Sequence, residues 1–305
     1  MGDLTGKVII ISGSGRGIGR ELAFAAAAEG AKVIVNDRDR DESGAGNSPA
    51  EETVRDIAAA GGEAVADHGD IAVTDDVAAT LSLALDRFGR LDGIVNNAGI
   101  LRDKMTFSMQ DSDWDSVMAV HLRGHFLLTR AACQHWREKF KETGAPARGH
   151  IINISSEAGI YGNAGQANYS TAKGGILSLS MVVAREMQRY GVTSNAVAPR
   201  ARTRMTASAF GALGDGHGDH LWDPRNVAPL INFLLSDRGS DYTGQTFVSG
   251  GGVLQLIAPP TVAHEVSIGT TPASRQDIAQ FVREALGTSA ETVAFPDLGL
   301  STLSP

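Results

Sequence analysis

The segment Ser12-Gly13-Ser14-Gly15-Arg16-Gly17-Ile18-Gly19 constrains the fold of this chain more than any other. It follows an apolar run at 8–12 and leads into helical spacing at 20–29, so the glycines fall where a buried strand must turn into a helix. Glycine allows the sharp turn and leaves room for a phosphate, while the helix N-terminus offers free N–H donors and a partial positive charge. The placement predicts a dinucleotide-binding crossover in which the glycines approach the pyrophosphate, with Gly13, Arg16, Gly17, Ile18 and Gly19 as cofactor-binding residues.

Further apolar runs at 33–35, 93–96, 151–154 and 194–198 alternate with helical spacing at 48–60, 77–88, 111–137 and 169–190. Runs that are apolar throughout belong to strands covered on both faces. The pattern is that of an α/β, Rossmann-like, doubly wound parallel sheet with helices on both faces. It has about seven strands if a short one follows Ala64 and an edge strand holds Phe247 and Val248. At 305 residues and 42% hydrophobic content, one large domain at 1–256 is expected, with 257–305 as a C-terminal appendage carrying an amphipathic stretch at 274–286. Residues 39–49 and 210–220 read as surface loops, the second as either a substrate lid or a plain connection.

A formal charge of −8 and a pI near 5.5 argue against a nucleic-acid surface, leaving anion binding to local pockets. Cys133 is the only cysteine, which excludes an intramolecular disulfide or a multi-cysteine metal site; its apolar helical setting suggests packing, and no metal is expected. No run approaches the roughly 20 apolar residues that cross a bilayer, and the residues from Met1 to Lys7 lack a basic leader, so a cytoplasmic location without membrane contact is expected.

Asp37 closes the second strand about 20 residues after the glycines, where a carboxylate accepts hydrogen bonds from the adenosine ribose hydroxyls and repels a 2′-phosphate. This favours NAD over NADP; Arg16 pulls the other way, because a guanidinium there can pair with that phosphate. Asp70 and Ile71 either hold the adenine edge or, through Asp70, cap the following helix. Pro199, at the carboxyl end of the strand at 194–198, joins the cofactor-binding set.

Tyr169 and Lys173 stand four residues apart in a helical segment and so share one face. An ammonium beside a phenol favours the phenolate, and a lowering of about three units from a pKa near 10 would let Tyr169 exchange a proton with an alcohol near neutral pH. Ser156, after the strand at 151–154, can hydrogen-bond the substrate oxygen as hydride moves.

A Tyr-x-x-x-Lys pair alone is weak, but here it follows the glycine loop, an Asp-ended second strand and Asn96-Asn97-Ala98-Gly99, in that order. From about Leu4 to Leu256 the chain resembles the short-chain dehydrogenase/reductase family. The resemblance implies Tyr169 as general acid/base, Lys173 as pKa modifier and nicotinamide-ribose ligand, and Ser156 as oxyanion partner. It also implies Asn97, with Ala98 and Gly99, near the cofactor, and a homotetramer or homodimer. The family usually carries an Asn where this chain has His121, which can donate or relay a proton in its place, or simply pack the helix.

His121-Leu122-Arg123-Gly124, Ile160 to Asn163, Gln166 to Tyr169 and Arg204-Met205-Thr206 are similar to the (3R)-hydroxyacyl-CoA dehydrogenase unit of peroxisomal type-two multifunctional enzymes and bacterial relatives. That subgroup implies NAD and a hydroxyacyl-CoA or sterol-derived small-molecule substrate. Arg200-Ala201-Arg202 departs from it; in an extended segment Arg200, Arg202 and Arg204 would point to one side, as an anion site or as solvated loop arginines. Two competing readings are an NADPH-dependent ketoreductase of acyl-carrier-protein or steroid ketones, and a catalytically silent nucleotide sensor.

Overall fold

The structure is a computed structural model that describes residues 2–39, 48–202, 221–267 and 274–286. Most of the irregular segment at 39–49, all of that at 210–220, and Arg204 lie outside the described residues. One compact unit runs from the N-terminus to Ile257, and a second begins at Ala258.

The first unit is built on eight strands: β1 Val8–Ser12, β2 Lys32–Asn36, β3 Glu63–Asp67, β4 Gly93–Asn96, β5 His150–Ile154, β6 Thr193–Arg200, β7 Thr246–Gly250 and β8 Val253–Ile257. They lie in the order β3-β2-β1-β4-β5-β6-β7-β8, parallel from β3 to β7. The eighth strand, one beyond the expected count, pairs antiparallel with β7. Its Leu254 and Leu256 are exposed, as befits an edge strand covered on fewer sides. The antiparallel return is made through Gly250, Gly251 and Gly252, all at positive φ.

The strand β1 shows why the sheet is covered on both sides. Its five residues are all buried, and alternation sends Ile9 and Ile11 into one core and Val8 and Ile10 into the other. The first core includes Leu22 of α1 (Gly17–Ala28), Ile57 of α2 (Pro49–Ala59) and Ile231 of α8 (Ala228–Leu235). The second includes Ala84 of α3 (Thr74–Phe88), Leu127 and Trp136 of α5 (Gly124–Thr143) and Val183 of α7 (Ala167–Met187). Because β1 is flanked by β2 on one side and β4 on the other, the crossovers diverge at its carboxyl end and leave a crevice there.

The helical spacing at 111–137 resolves into α4 (Asp111–Met118), a π-helical turn at Ala119–Arg123 and α5. Such wide turns inside helices often mark functional sites, and this one carries His121. A five-residue helix, α6 (Glu157–Tyr161), separates β5 from α7. In the second unit, α9 (Arg275–Leu286) begins with a reciprocal cap: Asp277 N donates to Ser274 Oγ at 3.1 Å and Ser274 N to the Asp277 carboxylate at 2.8 Å. Its Ile278 and Val282 are exposed. Among the described residues, no helix is long and apolar enough to cross a membrane.

Candidate active site

A cleft of about 370 Å³ opens at the carboxyl ends of the central strands. Every residue singled out from the sequence as catalytic or cofactor-binding lines it, from the glycine loop through Asp37, Asp70 and Asn97 to His121, Ser156, Tyr169, Lys173 and Pro199. It also takes in Asn36, Arg38, Asp39 and Ile100, which sequence reasoning missed. Arg38 and Asp39 carried a signal, since they directly follow the strand-ending Asp37; Ile100 carried none.

At the loop end, Gly13 (φ +62°) leaves no room for a Cβ against Ala98, so the first and fourth strand ends meet backbone to backbone. Asn97 holds that meeting: its Nδ2 donates to the carbonyls of Ser12 and Gly13, both at 3.0 Å, while its backbone N donates to Ser12 Oγ at 3.0 Å. Arg16, the residue before α1, makes no side-chain cap, which leaves the first N–H groups of a twelve-residue helix for an anion. A Cβ at Gly17 (φ +58°) would meet nothing within 4 Å, so the face of the loop is open. This donor set and open cradle fit a dinucleotide pyrophosphate.

Asp37 stands just beyond β2 and accepts from Gly15 N and Asp39 N, each at 3.1 Å. Burial raises its pKa above the ordinary carboxylate value, and those two N–H bonds oppose the shift. Arg16 pairs with Asp39 at 3.3 Å and Arg38 with Asp70 at 3.1 Å, so both cations of this end are already matched by acids. Asp70 does not cap α3; it accepts from Ala72 N at 2.9 Å, two residues on, and lines the cleft.

At the other end, α7 presents Tyr169 and Lys173 one turn apart. Lys173 is buried, and its Nζ donates to Ile154 O at 2.5 Å while lying 5.6 Å from the centre of the Tyr169 ring. Burial pushes the Lys173 ammonium down to about 7 and the Tyr169 phenol up to about 12, with a hydrogen bond from Ser156 pulling the phenol back. The Lys173 ammonium bonds a backbone carbonyl here, and desolvation is the largest influence on both groups. Ser156 Oγ also accepts from Ala158 N at 3.2 Å, capping α6.

His121 is buried, its ring set edge-on to Tyr169 with centres 5.1 Å apart. Nε2 lies 3.0 Å from Ile100 N and 2.8 Å from Ile100 O, so the tautomer decides which it bonds. Burial, then the charge of Lys173, pushes its pKa down to about 3. Near pH 7 the ring is therefore neutral, with one N–H donor and one acceptor nitrogen, a state compatible with donating, relaying or packing. The adjacent Gly99 allows the ring its place, since a Cβ there would collide with it.

Two expectations outside the cleft resolve plainly. Arg200 does not face the cleft: Pro199 and Ala201 line it, and the Arg200 guanidinium turns to Glu157. Cys133 is a partly buried free thiol whose pKa burial pushes up to about 12, consistent with packing.

A glycine-loop crossover, a carboxylate just beyond the second strand and a Ser/Tyr/Lys cluster in one cleft define a dinucleotide-dependent oxidoreductase class. The chain belongs to the short chain dehydrogenase family, whose model matches residues 7–212. It is 43% identical over 290 residues to the hydroxyacyl-CoA dehydrogenase ChsB1 of Mycobacterium tuberculosis, covering 92% of this chain and 89% of that protein. With the mouse peroxisomal multifunctional enzyme type 2 it shares 41% identity over 253 residues, 82% of this chain but 32% of that protein. A crystal structure of a short chain dehydrogenase from Mycobacterium avium superposes with a TM-score of 0.86 at 41% identity, covering 96% of this chain and 98% of that one. The protein is therefore an oxidoreductase acting on CH–OH groups with NAD(P).

Proposed function

We propose that the chain oxidises, reversibly, a secondary hydroxyl of a hydroxyacyl-CoA or sterol-derived substrate with NAD. The observation that carries the cofactor preference is Asp37: its carboxylate is fixed by Gly15 and Asp39 at the rim of the glycine loop, where it would accept from ribose hydroxyls and repel a 2′-phosphate. The substrate class rests on the likeness to a relative named as a hydroxyacyl-CoA dehydrogenase.

Bound NAD supplies the hydride acceptor. Gly13, Gly17, Ile18 and Gly19 would hold its pyrophosphate, Asp37 a ribose, Asp70 and Ile71 the adenine edge, and Asn97 to Gly99 with Pro199 the remainder of the floor. Tyr169 takes the hydroxyl proton during oxidation and returns it during reduction, Ser156 steadies the same oxygen, and Lys173 biases the phenol when its ammonium turns from Ile154 O toward the site. His121 fixes the Tyr169 ring edge-on and holds Ile100 in the cleft wall.

A second reading, an NADPH-dependent ketoreductase, is favoured by Arg16 and Arg38, two cations in the ribose half of the cleft. One titration separates the two. NAD(H) is expected to bind tighter than NADP(H), and a (3R)-hydroxyacyl-CoA is expected to turn over with Tyr169→Phe losing about 100-fold or more. NADP(H) preference would transfer the assignment to the ketoreductase, and full turnover by Tyr169→Phe would remove the mechanism.

A further inference from the structure

The carboxyl ends of β5 and β6 are joined beyond their last sheet bond, Ser155 N to Val197 O at 2.8 Å, by an ion pair. Arg200 Nε donates to one Glu157 carboxylate oxygen at 2.8 Å and Nη2 to the other at 2.6 Å, a two-pronged match of guanidinium and carboxylate. The two side chains are only 12% and 9% exposed. Neither residue lines the cleft, yet each adjoins one that does, Ser156 at the cap of α6 just beyond β5 and Pro199 near the end of β6.

We propose that Glu157 and Arg200 are positioning residues for the reaction, acting together as a clamp that sets the Ser156 hydroxyl against Tyr169. Arg200 is the fixed half. Its backbone is in register with Gly250 of β7, and that glycine, at φ +107°, leaves no room for a Cβ against the Arg200 carbonyl. Glu157 is the half that needs fixing, because it opens the five-residue α6, too short to hold its own first turn by propagation. Ser156 is the cap of that same turn, so a shift of Glu157 carries the hydroxyl with it. On its far side α6 lies against α7 so closely that a Cβ on Gly159 would press on the Lys173 backbone. The clamp therefore sets one end of a short bridge whose other end rests on the turn bearing Tyr169 and Lys173.

An ion pair is a poor choice for stability alone, since apolar side chains of similar volume would serve as well or better. What it adds is geometry: two parallel hydrogen bonds fix distance and angle at once. The same pairing takes Arg200 out of both readings of the arginine run from sequence, since its guanidinium is neither a free anion site nor solvated.

The inference rests on the role given to Ser156, so Ser156→Ala is the benchmark in its test. Wild type, Ser156→Ala, Glu157→Gln, Arg200→Lys and the Glu157→Gln/Arg200→Lys double variant are compared for kcat, KM, NAD binding and the deuterium isotope effect on a (3R)-hydroxyacyl-CoA. All are assayed well below their melting temperatures. The clamp predicts that each single variant loses about 10- to 100-fold in kcat with a larger isotope effect and unchanged NAD binding. Lysine cannot reproduce the two-pronged bond, and the double variant should fall no further than the worse single one. Full kcat in folded Glu157→Gln or Arg200→Lys, with only the melting temperature lowered, overturns the clamp while leaving the Ser156 role intact. Full kcat in Ser156→Ala overturns both. Should Glu157→Gln fail to fold, Arg200→Lys decides alone.

Discussion

Replacing Lys173 by methionine should stabilise the protein at neutral pH, by an amount that shrinks as the pH rises. Lys173 is 2% exposed, and its ammonium is depressed from 10.5 to about 7 by burial. Between those two values the unfolded chain keeps a proton that the folded protein releases, so raising the pH favours folding. The whole displacement is worth about 5 kcal/mol below pH 7, of which roughly 4 remain at pH 7 and about 2 at pH 9. Removing the amine also removes its hydrogen bond to Ile154 O, a loss of about 1 kcal/mol or somewhat more because the carbonyl is left unpaired. The net expectation is that Lys173→Met is more stable than wild type by about 2–3 kcal/mol at pH 7, and that the gap closes by about 2 kcal/mol by pH 9. Urea unfolding at pH 7, 8 and 9 measures this. Burial holds the Cys133 thiol and the Tyr169 phenol near 12 in the folded state, and their effects are common to both proteins and cancel in the difference. His121 and His125, which face the amine, are pushed well below the window, His121 to about 3, and do not titrate within it when folded. A gap that stays constant from pH 7 to 9 would show that the buried ammonium keeps an ordinary pKa, and the account of desolvation at this site would fail. Turnover should be lost in the variant at every pH, which separates the stabilising effect from the catalytic one.

Two further outcomes follow from single contacts. Gly13→Ala places a methyl group 2.7 Å from Ala98 Cα at φ +62°, so it should lose roughly 2–4 kcal/mol in urea unfolding and bind NAD more weakly; an unaltered midpoint would show that the loop shifts freely. Asp92→Ala leaves the Val8 N–H, bonded at 2.8 Å, and the two-pronged Arg90 contact without their acceptor at the start of β1, which should lower stability by about 2–4 kcal/mol with kcat unchanged at 25 °C; a fall in kcat in the folded protein would contradict that separation of sheet base from cleft.

Much of the fold was legible because the central strands are buried on both faces and therefore apolar at every position, as in Val8 to Ile11. The edge strand β8 was not, since its Val253-Leu254-Gln255-Leu256-Ile257 follows three glycines and is covered on fewer sides, so it looked like the close of the sheet rather than one more strand. The site was legible where a residue type and its position demand each other: glycine where φ is positive, a carboxylate at a strand end, Tyr and Lys one turn apart. The π-helical turn was invisible for the opposite reason. Its sequence, Ala119-Val120-His121-Leu122-Arg123, keeps helical spacing, and only the widened turn seats the His121 ring between Tyr169 and Ile100.

Arg200 shows most clearly what local pattern leaves undecided. Alternation along an extended segment requires Arg200 and Arg202 to share a side and Pro199 and Ala201 to share the other. Periodicity alone does not say which side meets the cleft. The choice is made by Glu157, 43 positions earlier in the chain, a carboxylate that in sequence looks like an ordinary first-turn helix residue. Only when β5 and β6 lie side by side do the two meet, and burying both charges then admits one arrangement: guanidinium against carboxylate, with Pro199 and Ala201 left to form the cleft wall. A buried charge thus selects its partner by tertiary topology, and the side-chain parity of a whole strand end follows from that selection.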